Sequence, residues 1–150
     1  MLNPDFREFI ELLNEKEARY LVIGGYAVAF HGYPRYTKDV DFWIWLDEEN
    51  AEKVVATINE FGFKSLGIVV DDLLDKENII QLGRPPARID LLTDIPAVNF
   101  EECYAKREVV EIEGISINLI DINSLIKTKL ATGRPQDKVD ADKLTKKRKK

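Results

Sequence analysis

The stretch YLVIGGYAVAFHGYPRYTKDVDFWIW, residues 20–45, constrains the fold more than any other. Tyr20, Leu21, Val22 and Ile23 form a short apolar, β-prone run, which predicts a buried strand. Gly24 and Gly25 stop that run. The residues from Tyr26 to His31 suit a short helix, and Gly32 and Pro34 end it. A second strand then carries Asp39-Val40-Asp41. A period of two puts both carboxylates on one face, roughly 6.6 Å apart along the strand. Val40 and Phe42 face the other way. Carboxylates so placed repel each other unless protons or cations compensate them. Mg²⁺ is suited to that task because it prefers hard oxygen ligands.

The rest of the chain supplies helices and hairpins around this centre. Phe6, Phe9, Ile10, Leu12 and Leu13 recur at helical spacing and predict a first helix over 4–17, with Asn3 as its cap and Pro4 at its first position. The Asp-x-Asp strand extends to Leu46. A helix capped by Asp47 or Asn50 follows, with a stripe of Ala51, Val54, Val55, Ile58 and Phe61 closed by Gly62. Phe63–Leu66 reads as the start of a strand. Ile79, Ile80 and Leu82, then Arg88–Leu92, predict one hairpin. Residues 109–112 and 115–119 predict a second hairpin around Glu113-Gly114. A brief helix fits residues 99–105. Asp121 caps a last clear helix, expected to turn Leu125, Ile126, Leu130 and Ala131 inward before Gly133 and Pro135 end it. A further helix is expected over residues 137–145. Helices alternating with strands, then hairpins, give an α+β fold with an α/β-like start: a mixed, partly antiparallel sheet flanked by helices.

Composition narrows the class. At 150 residues, 45% hydrophobic and 33% charged, the chain suffices for one folded domain with a real core. A formal charge of -5, from 22 basic and 27 acidic residues, argues against a general nucleic-acid coat protein. The closing KLTKKRKK is nonetheless strongly basic. Residues 1–145 read as a single domain and 146–150 as a basic, disordered tail. Cys103 is the only cysteine, which excludes a disulfide framework and a cysteine-rich metal site and leaves a buried thiol as the expectation. No signal peptide and no apolar run of membrane-spanning length occurs, so a cytoplasmic location without a membrane partner is the default.

Taken together, these motifs resemble the nucleotidyltransferase superfamily with the DNA polymerase β-type catalytic domain. In that superfamily a Gly-Gly or Gly-Ser pair opens a helix, an Asp-x-Asp or Asp-x-Glu strand follows, and a third acid sits on a neighbouring strand. Here these are Gly24-Gly25, Asp39-Val40-Asp41 and Asp90 in RIDLL. The chain is most similar to the AbiEii-like and minimal members, several of them toxin–antitoxin components. These carry a downstream helix matched by Lys129-Leu130-Ala131, then Arg134 and Asp137, with Asp140 behind. The resemblance covers residues 18–142.

The resemblance implies that Asp39, Asp41 and Asp90 are catalytic and hold Mg²⁺ or Mn²⁺, with a nucleoside triphosphate such as ATP as substrate. Asp90 would help to deprotonate the attacking hydroxyl. Gly24 and Gly25 would bring backbone N–H groups to the phosphates, and Lys38 and Lys129 would reach them as cations. Many members that transfer nucleotides carry Ser at the second glycine position; Gly25 offers no hydroxyl. The acceptor implied is a partner protein's side chain, an RNA end such as that of tRNA, or a small molecule. A non-catalytic antitoxin or regulatory binding module on the same fold is the alternative, against which the presence of all three acids weighs.

Other residues are read more plainly. Arg35 and Lys38 flank the acids as phosphate or salt-bridge partners, while Arg134 and Asp137 suit a structural ion pair. His31 is a helix-end residue rather than a metal ligand or base. Tyr26, Tyr33 and Tyr36 suit packing as well as they suit stacking on a base. GGYAVAFHG is not the GxGxxG of a dinucleotide site, and no P-loop, HExxH or CxxC motif is present.

Overall fold

The computed structural model describes residues 2–33 and 37–148. Helix α1 (Pro4–Glu15) starts as its cap predicts: the Asn3 side chain accepts a hydrogen bond from Asp5 N–H. It leads into β1 (Tyr20–Ile23), all four residues of which are buried. Helix α2 (Gly24–Phe30) follows without a linker, and β2 spans Asp39–Ile44. Asp47 caps α3 (Glu48–Ile58) by accepting from Asn50 N–H at 2.7 Å. Asn50, the other candidate cap, is buried and staples two segments, accepting from Arg19 N–H and donating to the carbonyls of Arg19 and Trp45.

Next come α4 (Val70–Leu74), β3 (Ile79–Leu82), β4 (Arg88–Leu92) and α5 (Phe100–Ala105). Strands β5 (Glu108–Ile112) and β6 (Ile115–Leu119) precede α6 (Ile122–Thr132) and α7 (Pro135–Arg148). The strands form one mixed sheet in the order β3-β4-β2-β1-β6-β5. Both expected hairpins, β3–β4 and β5–β6, are antiparallel, whereas β2–β4 and β1–β6 are parallel. The α+β class with a mixed sheet is therefore the observed one.

The two sheet faces differ in chemistry because β2 alternates. Val40 and Phe42 point into the core, where Phe9 of α1 meets Phe42 with ring centroids 5.5 Å apart and Phe61 at 5.3 Å. Asp39 and Asp41 point to the opposite face, which α6 partly covers.

Three expectations are corrected. Phe63–Leu66 is not a strand: a wide turn over Asn59–Phe63 kinks at Gly62 (φ 117) and runs into a single helical turn, Lys64–Leu66. Phe61 and Phe63 stack there at 5.7 Å, so these aromatic side chains bind the turn to the core rather than extend the sheet. Leu130 and Ala131 do not face inward; both are exposed, and Thr128 and Lys129 are buried instead. The acids of α7 neutralise Lys129, which lets a charged position face the interior.

Third, residues 146–148 are not a disordered tail, because α7 runs on to Arg148. Arg148 donates to Asn123 Oδ1 at 2.8 Å, the Lys147 ammonium lies 5.8 Å from the Tyr33 ring centroid, and Lys146 pairs with Asp142. Cations at a helix C-terminus also favour its dipole. No apolar periodicity signals this extension; polar and electrostatic contacts carry it.

Cys103 is buried as expected, and burial raises its thiol pKa. A buried thiol kept protonated is a poor nucleophile for disulfide exchange. Freshly purified protein is therefore expected to show the monomer mass under non-reducing, denaturing conditions. A disulfide-linked dimer there would contradict the buried placement.

Candidate active site

The parallel register between β2 and β4 assembles the site. It sets Asp39 beside Arg88 and Asp41 beside Asp90, and paired residues on adjacent strands share a face. One carboxylate oxygen from each of Asp39, Asp41 and Asp90 can be chosen so that the three lie within 4.8 Å of one another. Hard oxygen donors so grouped, carrying excess negative charge, are what a divalent cation of the Mg²⁺ class requires.

The electrostatics reflect the crowding of these carboxylates. The Asp41 carboxyl is pushed from 3.8 up to about 7, first by burial, then by the charges of Asp39 and Asp90 and a hydrogen bond with Asp90. Lys129 offsets only part of that. Among the described residues, Arg88 pairs with Asp39 and Asp90, and the strain of the remaining charge falls on the Asp41 carboxyl.

Gly24 is tied to the same carboxylate. Its φ of +69 lies in the left-handed region, and a Cβ placed there would overlap Asp41 Oδ2. The glycine that stops β1 therefore serves the backbone turn and also leaves room for Asp41.

The triad lines a cleft of about 380 Å³ between the sheet and α6. Its other polar walls are Arg88, Gln81, Thr128, Lys129, Thr132, Arg134 and Asp137; Ile79, Leu92, Ile95 and Pro96 form much of the apolar wall. Lys129 is only 8% exposed and pairs with Asp137 at 3.0 Å and Asp140 at 3.2 Å. Asp137 also accepts from Thr132 Oγ1 at 2.6 Å and Arg134 Nε at 2.9 Å. Burial works to raise the Asp137 pKa, but these hydrogen bonds and charges overcome it and leave the carboxyl below its ordinary value. The Arg134–Asp137 pair is thus part of a cluster that fixes the start of α7 and holds Lys129 at the cleft wall.

The residues singled out in the sequence divide accordingly. Asp39, Asp41, Asp90, Gly24 and Lys129 meet in the cleft, whereas Gly25 and Lys38 lie outside its lining, with Lys38 exposed. Arg35 and Tyr36 lie outside the described residues. Tyr26 packs edge-on against Phe6 at 5.4 Å, and Tyr33 donates its hydroxyl to the Lys143 carbonyl, so neither offers a stacking platform in the cleft. His31 ends α2 and donates from Nε2 to the Ile120 carbonyl at 2.8 Å, a structural role.

Four polar cleft residues, Arg88, Gln81, Thr128 and Thr132, are not among the site residues expected from the sequence. Arg88 donates to Asp39 and to both oxygens of Asp90. The Arg-x-Asp spacing on a strand was a legible signal for it, since period two puts both on one face. Gln81 pairs with Asp90 in the β3–β4 register, which only the hairpin alignment reveals.

The comparisons with known proteins bear on family and fold. A family described as "Nucleotidyltransferase of unknown function (DUF6036)" matches residues 5–146. No curated protein matches the chain. Among solved structures, the crystal structure of a candidate nucleotidyltransferase from Thermotoga maritima superposes with a TM-score of 0.61 at 18% identity, over 97% of this chain and 94% of that one. At that identity the likeness speaks for the fold.

Proposed function

This chain belongs to the family described as nucleotidyltransferases of unknown function (DUF6036), and on that premise we propose that it transfers a nucleoside monophosphate from a nucleoside triphosphate to a hydroxyl acceptor, with Mg²⁺ or Mn²⁺ as cofactor. The observation that carries this reading is the convergence of Asp39, Asp41 and Asp90 from two strands, with one oxygen of each within 4.8 Å of the others.

Asp39 and Asp41 would hold the metal, with Asp90 joining them. Bound divalent ions would neutralise charge at the phosphates and make the acceptor hydroxyl more acidic. Asp90 takes the proton from the acceptor hydroxyl on a carboxylate oxygen. The acceptor oxygen bonds to the α-phosphorus, the bond from that phosphorus to the bridging oxygen breaks, and pyrophosphate leaves with the electron pair. Lys129, held at the cleft wall by Asp137 and Asp140, supplies positive charge toward the phosphates. Gly24 and Gly25 keep the start of α2 free of side chains. Among acceptors, a protein side chain comes first, an RNA end second and a small molecule third, by resemblance to the minimal and AbiEii-like members.

The test incubates the protein with candidate acceptors, Mg²⁺ and each common nucleoside triphosphate labelled at the α-phosphate. Transfer is expected with the parent chain. Loss of a general base costs roughly 10²–10⁴-fold, so Asp90→Asn is expected to fall by that factor. Label on a protein, on tRNA or on a small hydroxyl compound identifies the acceptor class. Absence of transfer to all three would leave a binding module on the same fold.

A further inference from the structure

We propose that Arg88 is a displaceable internal counter-ion: its guanidinium fills the carboxylate site of the metal-free protein and must leave Asp39 before a divalent cation takes its place. The inference rests on the metal-dependent reading above and adds a control on metal entry.

The geometry is specific. Arg88 lies beside Asp39 in the strand register and two residues before Asp90, so all three side chains share one face. The guanidinium fork spans the two strands. Nη2 donates to Asp39 Oδ2 at 2.7 Å and to Asp90 Oδ2 at 3.0 Å, while Nε donates to Asp90 Oδ1 at 2.9 Å. A single charged nitrogen therefore bridges the same two carboxylates that a shared metal ion would bridge.

Mg²⁺ holds its oxygen ligands at roughly 2.0–2.1 Å. An ion between Asp39 Oδ2 and Asp90 Oδ2 would stand against the nitrogen that now bridges them, and two cations in contact repel. The arginine also has somewhere to go. Its side chain is 29% exposed, against 8% for that of Asp90, so the guanidinium can swing toward solvent while the carboxylate stays fixed.

The destination links metal to substrate. A guanidinium released from Asp39 remains at the cleft wall, and its planar fork matches phosphate oxygens as well as carboxylate ones. A metal–nucleotide complex brings a replacement cation for the acids together with an anion for the arginine. A bare metal ion brings only the first. The site is thereby biased toward loading metal with the nucleotide.

The test measures Mn²⁺ binding on the full chain, from the paramagnetic resonance signal of the free ion, for the parent, Arg88→Gln and Arg88→Lys. An opposite charge within this range alters a carboxylate's proton affinity roughly ten- to a thousand-fold. Arg88→Gln is accordingly expected to bind Mn²⁺ about tenfold more tightly than the parent, and Arg88→Lys, which keeps the charge, much as the parent does. Equal or weaker binding by Arg88→Gln would overturn the proposal and leave Arg88 as a group that orients Asp90. Failure of both the parent and Arg88→Gln to bind Mn²⁺ would instead remove the metal-dependent reading, and the proposal with it.

A second measurement needs no variant. In the parent, the Arg88 Nη2–H resonance is expected to shift and to exchange faster with water as Mg²⁺ is added, because the bond to Asp39 is lost. A resonance that stays put while Mg²⁺ binds would equally overturn the displacement.

Discussion

Asp41→Asn is expected to stabilise the metal-free protein at and above neutral pH and to leave it nearly unchanged near pH 4. The Asp41 carboxyl titrates at 3.8 when free but at about 7 in the fold, raised by burial and then by Asp39 and Asp90. A folded pKa above the unfolded one means that the proton is bound more tightly in the native state. The stability this gives is complete below the unfolded value and is lost as pH rises through the folded one. A shift of that size corresponds to about 4 kcal/mol. For a chain of this size, 1 kcal/mol moves the melting temperature by roughly 2–4 °C.

Melts in the presence of a chelator should show the parent falling by roughly 10 °C between pH 4 and pH 8 relative to the variant. Asparagine keeps the shape of the protonated acid and cannot ionise. Saturating Mn²⁺ is expected to restore the parent at pH 8, because a ligand bound only by the native state stabilises it by mass action. The variant should respond much less. Parallel pH curves for the two proteins would show that Asp41 carries no uncompensated charge, and would remove it from the triad.

Gly24→Ala carries the second large effect. It forces a residue with a Cβ into a left-handed φ of +69 and drives that carbon into Asp41 Oδ2. Strain of this kind costs about 1–3 kcal/mol, and displacement of a half-buried carboxylate adds to it. We expect a drop in melting temperature of roughly 5–10 °C and loss of the Mn²⁺-induced rise. A double-mutant cycle separates the two causes. In an Asp41→Ala background the overlap with the carboxylate disappears and only the backbone strain and a close contact with the remaining Cβ persist, so Gly24→Ala should cost less there. Equal costs in both backgrounds would show that the glycine serves the turn alone.

Much of this molecule was legible because the signals are local. The period of two put Asp39 and Asp41 on one face, as found. Side-chain caps at Asn3, Asp47 and Asp121 depend on neighbours a few residues away, and each is formed. Glu113-Gly114 joins the β5–β6 hairpin through positive φ at both positions. Other signals misled for stated reasons. Phe63–Leu66 has strand-like composition, but its phenylalanine packs against Phe61 at a kinked turn. Helical spacing placed Leu130 inward, yet the ion pairs of Lys129 with Asp137 and Asp140 rotate the buried face by one residue.

The sequence by itself determined the alternation of acids on β2, the glycine break before α2, the chief helix caps and the two hairpins, since each follows from backbone geometry over a few residues. The resemblance pointed to Asp90 as the third acid, but only the tertiary structure brings it to Asp39 and Asp41 and decides which cation faces them. Asp90 and Arg88 reach the site through the parallel register of β2 with β4, strands separated by some 40 residues and by α3 and α4. That register is fixed by burial of Val40 and Phe42 alongside Ile89 and Leu91 on the opposite face, because a slip of one residue would carry every one of these side chains to the wrong side of the sheet.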